Sequence, residues 1–301
     1  MAPRLDGVAN AAGGEVPMGP TPSNSAQFSP WRTEITAFRC PSDPGVGLPA
    51  AGRSNYGLCV GDALYLVHRG GRNRAGFWDR ENDMHMDDNE AGNDSDEVNN
   101  TDAAAVARST NRGMFWMRNV TRFRDVLDGL ANTIAMGEQN TSLGNREANA
   151  DALSDQGNAI MTNPALCDAQ VDPARPQFYL SGANLTGFDG TDSKGYRWCS
   201  ALGAHTSLWT IRPPNNVSCF HDDRNGQGYN TMGSRHQGGC HILMGDGAIK
   251  FVTDSIEAGD QTAIPVLGTN DTTPPPGIVS PYGLWGALGT RGSKEVIEEE
   301  L

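Results

Sequence analysis

The stretch His241–Val252 constrains the fold more than any other part of the chain. Ile242, Leu243 and Met244 form a short apolar run, Gly245-Asp246-Gly247 interrupts it, and Ala248–Val252 resumes with alternating character. An apolar run, an Asp-Gly turn and an alternating run predict a β-hairpin. Asn55–Val60 and Thr133–Gly137 read as further strands, Gly113–Arg118 (GMFWMR) as a compact buried strand, and Trp198–Ile211 has strand-like spacing. Thr121–Leu130 predicts a helix capped by Thr121, with Phe123, Val126, Leu127 and Leu130 on one face and Asp128-Gly129 as its break. Trp31–Phe38 fits a short helix or an extended entry strand, and Cys40-Pro41-Ser42-Asp43-Pro44 and Pro213-Pro214-Asn215-Asn216 read as stiff turns.

Composition surrounds this framework with loops. The 37 glycines and 18 prolines make up roughly 18% of the chain, against a usual ~12%. Asp79–Glu97 carries nine acids and one base and reads as a surface insertion. Asn140–Gly195 is low in apolar periodicity and reads as long loops with one short helix. The 301 residues therefore divide into a flexible segment over 1–30, a single head over 31–296 with insertions near 79–100 and 140–195, and an acidic tail over 297–301. The fold class expected is α+β, with a mainly antiparallel sheet, short helices and long loops. A formal net charge of −13 repels phosphate backbones and anionic lipid, which disfavours a nucleic-acid or membrane-surface role. No stretch approaches the ~20 apolar residues of a membrane span, and no basic start precedes an apolar run.

Six cysteines, Cys40, Cys59, Cys167, Cys199, Cys219 and Cys240, contain no Cys-x-x-Cys spacing, so the usual structural zinc pattern is missing. An even number among Gly/Pro-rich loops favours disulfides in an oxidising compartment over free thiols in the cytosol. Sequence alone leaves the pairing open.

Few residues point to chemistry. Asp246-Gly247 is better read as turn chemistry than as a catalytic or metal-binding carboxylate. His236 and His241 lie five apart in a loop and a strand, share no helical face, and read as ordinary hydrogen-bonded histidines. A hydrolase using His236 and Asp246 would need the two within hydrogen-bond reach. Adjacent Cys240 and His241 point to opposite faces of a strand and cannot act as a pair. The Asp189–Gly195 and Asp222–Gly226 loops are oxygen-rich and Gly-flanked, which suits Ca2+, with Asp189, Asp192, Asp222 and Asp223 as candidate ligands; Asp87–Asp96 has the same character. Trp198, Trp209, Tyr196 and Tyr229 could stack on a sugar, but packing into a core is the better reading. No Gly-x-Ser-x-Gly elbow, His-Glu-x-x-His or phosphate-cradling glycine loop is present, so no catalytic residue is assigned and the chain is expected not to be an enzyme.

The segment SRHQGGCHILMGDGAIKF (Ser234–Phe251) has a His, nine intervening residues, then Asp-Gly. It resembles the signature of the bacterial prepilin-like family with the prepilin-type processing-associated C-terminal domain, also known as domain of unknown function 1559. FRCPSDP (Phe38–Pro44), SNYG (Ser54–Gly57), RGMF (Arg112–Phe115), DVLDGLANTIAMGE (Asp125–Glu138), WTIRPPNNVSC (Trp209–Cys219) and WGALGTRGSKEV (Trp285–Val296) resemble its other blocks in the same order. The resemblance implies a pilin-like globular head, and makes His236, Asp246 and Gly247 signature positions without a chemical role. The family's prepilin leader and long apolar helix find no counterpart in this sequence. What it implies about function is a non-enzymatic, pseudopilin-like structural subunit at the cell surface or outside the cell. Such a subunit would contact its own copies or other pilin-like subunits and could assemble into filaments. The alternative is a secreted module whose calcium-ordered loops bind a glycan or cell-surface polymer. Within that frame Cys199–Cys219 is the preferred disulfide and Cys40–Cys59 the second.

Overall fold

The computed structural model describes residues 29–67, 70–72, 78, 101–187, 190, 192–222, 227–266 and 278–295. Residues 1–28, the acidic tract Asp79–Glu97, Asp189, Asp223 and the tail 297–301 lie outside the described residues. Described helices and strands are short, and none of the helices is long and apolar enough to cross a membrane.

Five strands make the main sheet: β1 (Tyr56–Gly61), β2 (Ile134–Glu138), β4 (Ser207–Trp209), β7 (Gly239–Met244) and β8 (Ile249–Thr253), in the order β4-β1-β2-β7-β8. A smaller sheet joins β3 (Ala152–Leu153), β5 (Ser218–Phe220) and β6 (Gly228–Tyr229). The pairs β1–β2, β2–β7, β7–β8 and β5–β6 are antiparallel, and β1–β4 and β3–β5 are parallel. The fold is thus α+β with a mainly antiparallel sheet.

The hairpin β7–β8 forms where the sequence predicts it. Its loop is three residues, Gly245–Gly247: Met244 donates to Ala248 O and accepts from Gly247 N. Gly247 takes φ +93°, a left-handed value that suits the glycine ending such a loop. The Asp246 carboxylate accepts from Ala248 N at 2.9 Å, so this side chain caps its own turn.

Alternation along the strands gives the main sheet two unlike faces. Cys240, Ile242 and Met244 of β7 and Val252 of β8 join Cys59, Ile134, Leu208 and Met232 in one core cluster, capped by Trp285 and Leu288 of helix α2 (Gly283–Gly289). Gly286 and Gly289 of α2 press on Ser280 and Thr210, leaving no room for a Cβ. A second cluster, around Trp209, Tyr229, Tyr179 and Leu64, ties the smaller sheet to the first. Trp209, Tyr229 and Tyr196 are buried, and Trp198 packs on Trp31 and Phe38, so the aromatic residues do serve packing. The opposite face carries Tyr56, Met136, His241 and Leu243, all half-buried, with exposed Phe251.

Three expectations need correction. Gly113–Arg118 is not a strand: Gly113 and Phe115 donate to Val60 and Cys59 at the end of β1, and the chain then turns at Arg118 with φ +55°. Thr121–Leu130 is not a helix but two short 3-10 turns, Phe123–Asp125 and Leu130–Asn132, with Phe123 and Leu127 exposed. The cause is competition for backbone donors: Leu127 N donates to Arg291 O at 2.6 Å, and the Asp128 carboxylate accepts from Ser293 N and Lys294 N. Third, the disulfide joins Cys167 and Cys219, while Cys40, Cys59, Cys199 and Cys240 are free. Cys219 sits on β5 inside the core, facing the 3-10 helix Pro164–Gln170 that carries Cys167, whereas Cys199 lies in a half-buried loop. Cys40 and Cys59 are drawn to opposite sides, Cys40 towards His236 and Cys59 towards Gly289.

Lys194 is wholly buried and donates to Thr231 O at 2.9 Å and Ser218 Oγ at 3.0 Å. Burial brings its pKa down from 10.5 to about 7; Asp151 opposes the shift, Arg235 adds to it, and Cys240 opposes it weakly. An unfolded lysine keeps its proton up to about 10.4, so between pH 7 and that value the unfolded chain binds more protons than the folded one. Stability should therefore rise with pH from 7 to 9, by up to about 1.4 kcal/mol per unit from this group. Above pH 9 the buried thiols reverse the trend, because burial pushes Cys59 up to about 12 and the thiols of the unfolded chain ionise first. Lys194→Met should flatten the rise between pH 7 and 9 in urea titrations; an unchanged slope would remove Lys194 as its cause.

Candidate functional site

The open face of the main sheet carries a groove of about 600 Å³ lined by Cys40, Tyr56, Glu138, His236, His241 and Ile249, among others. Three strands and two turns supply its polar residues. Tyr56 and Glu138 are directly opposed in the β1–β2 register. His241 comes from β7. Cys40 and His236 come from turns above the sheet.

A buried polar network fixes the Cys40 turn. Cys40 N donates to Asn55 Oδ1 at 3.0 Å, and Asn55 Nδ2 donates to Asp43 Oδ2 at 2.7 Å and to Gln139 O at 3.0 Å. Burial alone would raise the Asp43 pKa, but hydrogen bonds from Thr141, Gly45 and Asn55 outweigh it and hold the carboxyl below its usual range. The ionised carboxylate thus clamps the FRCPSDP turn to the strand-end residues Asn55 and Thr141. The His236 turn is held similarly: His236 N donates to Ser234 Oγ at 3.1 Å, and Ser234 N to Asn215 Oδ1 at 2.9 Å. Gly238, with φ +80°, folds the turn back over β7.

At the centre lies Glu138, only 4% exposed. Its Oε2 accepts from His241 N at 2.7 Å and lies 3.1 Å from His241 Nδ1. Its Oε1 lies 3.5 Å from His236 Nε2. The same His236 Nε2 is 3.6 Å from Cys40 Sγ. The rings of His236 and His241 meet edge to face at 5.0 Å, and His241 meets Phe251 at 5.1 Å. Tyr56, on the groove wall, has its pKa raised by burial and by the negative field of Cys40 and Glu138. Among the described residues, Cys40, Glu138 and His236 are the one group of three ligand-type side chains whose donor atoms fall within 4.8 Å of one another.

His236 and His241, which share no helical face and are expected to be ordinary hydrogen-bonded histidines in preference to ligands or bases, are brought together by the turn between them. Cys240 and His241 do point apart: Cys240 is buried in the core while His241 faces the groove. The sequence gives no signal for Glu138 and offers Cys40 as a disulfide candidate. Of the signature positions, His236 enters the site, whereas Asp246 and Gly247 form the exposed hairpin loop, with Asp246 engaged by its own turn. Of the calcium candidates, Asp192 pairs with Arg197 at 2.5 Å and Asp222 with His221 at 2.5 Å; Asp189 and Asp223 lie outside the described residues.

Comparison with curated proteins and with solved structures finds no match for the chain. A family model described as a protein of unknown function, DUF1559, matches residues 14–259. That span includes the Cys40 turn, β1, β2, the His236 turn and the β7–β8 hairpin, all the elements that build the groove. The chain belongs to the DUF1559 family.

Proposed function

We propose that the chain is a non-enzymatic, extracytoplasmic head that works through protein contacts, as a pseudopilin-like subunit would, and that its first partner is a second copy of itself. The observation that carries this reading is β8. Among the described residues it lies at the edge of the main sheet with β7 as its single strand neighbour, and it exposes Ile249 (72%) and Phe251 (42%). The strand contains no proline, its register against β7 runs without a bulge, and Lys250 is the single charge among its five residues, so little on this edge blocks pairing. Two β8 strands meeting across a two-fold axis would extend the sheet continuously from one copy to the next. The buried Cys167–Cys219 bridge supports an oxidising compartment.

Sedimentation velocity and negative-stain electron microscopy of the purified chain test the reading. Association should increase with concentration. It should also strengthen with salt, because each copy carries a net charge of −13 that repels the other until screened. Ile249→Lys, at an exposed position, should weaken association about tenfold or more while leaving the fold intact. Dispersed monomers at all concentrations and salts would sink self-association, and pairing only with a different pilin-like chain would move the partner elsewhere.

A further inference from the structure

We propose that Cys40, Glu138 and His236 form a binding site for a divalent transition-metal ion of the zinc type, with His241 positioning the carboxylate.

The ligand separations support a tetrahedral ion. Zinc bonds of about 2.3 Å to sulfur and about 2.0–2.1 Å to nitrogen or oxygen set a tetrahedral S···N separation of about 3.5 Å and an N···O separation of about 3.4 Å. The observed values are 3.6 Å for Cys40 Sγ to His236 Nε2 and 3.5 Å for His236 Nε2 to Glu138 Oε1. Two of the three edges of one face of such a polyhedron thus match, and all three donor atoms lie within 4.8 Å of one another.

The geometry also argues against a thiol-based catalytic relay. In a nucleophile–imidazole–carboxylate relay the nucleophile and the carboxylate engage opposite ring nitrogens. Here both the thiol and the carboxylate converge on Nε2 of His236. Convergence on one lone pair is what a shared cation requires.

Charge supports the same reading. Glu138 is buried, and among the described residues its ion-pair partners are two histidines, with no lysine or arginine. A buried carboxylate beside a thiol favours a cation. The second carboxylate oxygen is held by His241, through both its backbone N–H and Nδ1, which aims Oε1 at His236. Such outer contacts fix ligand orientation in metal sites. His236 is about one-third exposed, so the groove leaves a path for the ion and space for a further ligand such as water.

The disulfide-intact full chain tests this directly. Isothermal titration with Zn2+ should show a single equivalent bound, and Co2+ should give a thiolate charge-transfer band in the near ultraviolet. His236→Gln and Cys40→Ser should each weaken zinc binding by about 100-fold or more, and Cys40→Ser should abolish the cobalt band; His241→Ala should cost about 10- to 100-fold. One further measurement needs no variant. Zinc should slow alkylation of Cys40 in the wild-type chain by about tenfold or more and leave that of half-buried Cys199 unchanged, as read by mass spectrometry. The proposal is overturned if wild-type protein binds no zinc, if cobalt gives no thiolate band, or if zinc leaves Cys40 as reactive as before.

Discussion

Asp62→Asn should destabilise the fold by about 3–5 kcal/mol, the cost of leaving a buried charge without its partner. Asp62 is fully buried, and the Arg112 side chain is 6% exposed. Arg112 Nε donates to Asp62 Oδ1 at 2.6 Å and Nη2 to Oδ2 at 3.1 Å, a two-pronged arrangement that matches guanidinium to carboxylate. The pair also organises its surroundings. Asp62 follows the end of β1, and Arg112 follows the helix Thr101–Thr110. Arg112 Nη1 reaches Ile278 O at 2.8 Å, and Arg112 O accepts from Arg291 N at 2.9 Å. An amide at position 62 keeps the shape but removes the charge, so the buried guanidinium loses its directly bonded carboxylate and keeps only the field of half-buried Glu295. Replacing both residues, as Asp62→Leu with Arg112→Met, should cost less than Asp62→Asn alone, because no charge is then left inside. Urea denaturation of Asp62→Leu, Arg112→Met and the double variant gives the coupling energy. A loss under about 1 kcal/mol for Asp62→Asn would mean that water reaches the pair.

The contrast between what the sequence reveals and what it hides follows the range of the interactions. The β7–β8 hairpin is legible because its turn and both its strands lie within a few residues of one another. β1 and β2 are legible because each is a short run bounded by glycine or polar residues. The helix Thr101–Thr110 goes unread because its buried face consists of Ala103, Ala104, Val106 and Ala107, too small to make a strong apolar period. The Thr121–Leu130 stretch has the right helical period and is not helical, because Arg291 O takes the Leu127 and Asp128 N–H groups and the backbone of Ser293 and Lys294 holds the Asp128 carboxylate, all from far along the chain. Tertiary hydrogen bonds outweigh a local propensity of a few tenths of a kcal/mol per residue.

The candidate site is hidden for the same reason. Cys40 and His236 are 196 residues apart, and Glu138 and His241 are 103 apart. No spacing rule detects a ligand set spread in this way, and the familiar Cys-x-x-Cys pattern is missing. The blocks that carry the family resemblance did contain the answer in pieces: FRCPSDP brings Cys40, SNYG brings Tyr56, the block ending in MGE brings Glu138, and the His motif brings His236 and His241. Their meeting at one groove gives those separated blocks a common place in the fold. The Asp-Gly half of the signature has a different physical basis, as the loop that reverses β7 into β8.

The disulfide gives the second large effect. Cys167–Cys219 closes a loop with a sequence separation of 52, and chain-entropy arguments put its stabilisation at about 4 kcal/mol. Both residues are buried in the cluster with Tyr179, Trp209 and Tyr229. Reducing the wild-type protein, or replacing both cysteines with alanine, should therefore lower stability by about that amount. Cys199→Ala should change it by about 0.5 kcal/mol or less, because that thiol is half-buried and unpaired. This comparison separates the observed pairing from the Cys199–Cys219 bridge expected from their place near the Pro213-Pro214-Asn215 turn, since in that case Cys199→Ala would match Cys219→Ala. It also bears on where the protein works. A fold that depends on this bridge for about 4 kcal/mol would lose a large part of an ordinary stability of about 5–15 kcal/mol in a reducing cytosol. If reduction and the double alanine variant both prove costly, the argument for an oxidising compartment rests on energetics and not on cysteine count. If reduction is harmless, that support for an extracytoplasmic head falls away, while the metal site, whose Cys40 takes no part in the bridge, keeps its own independent test.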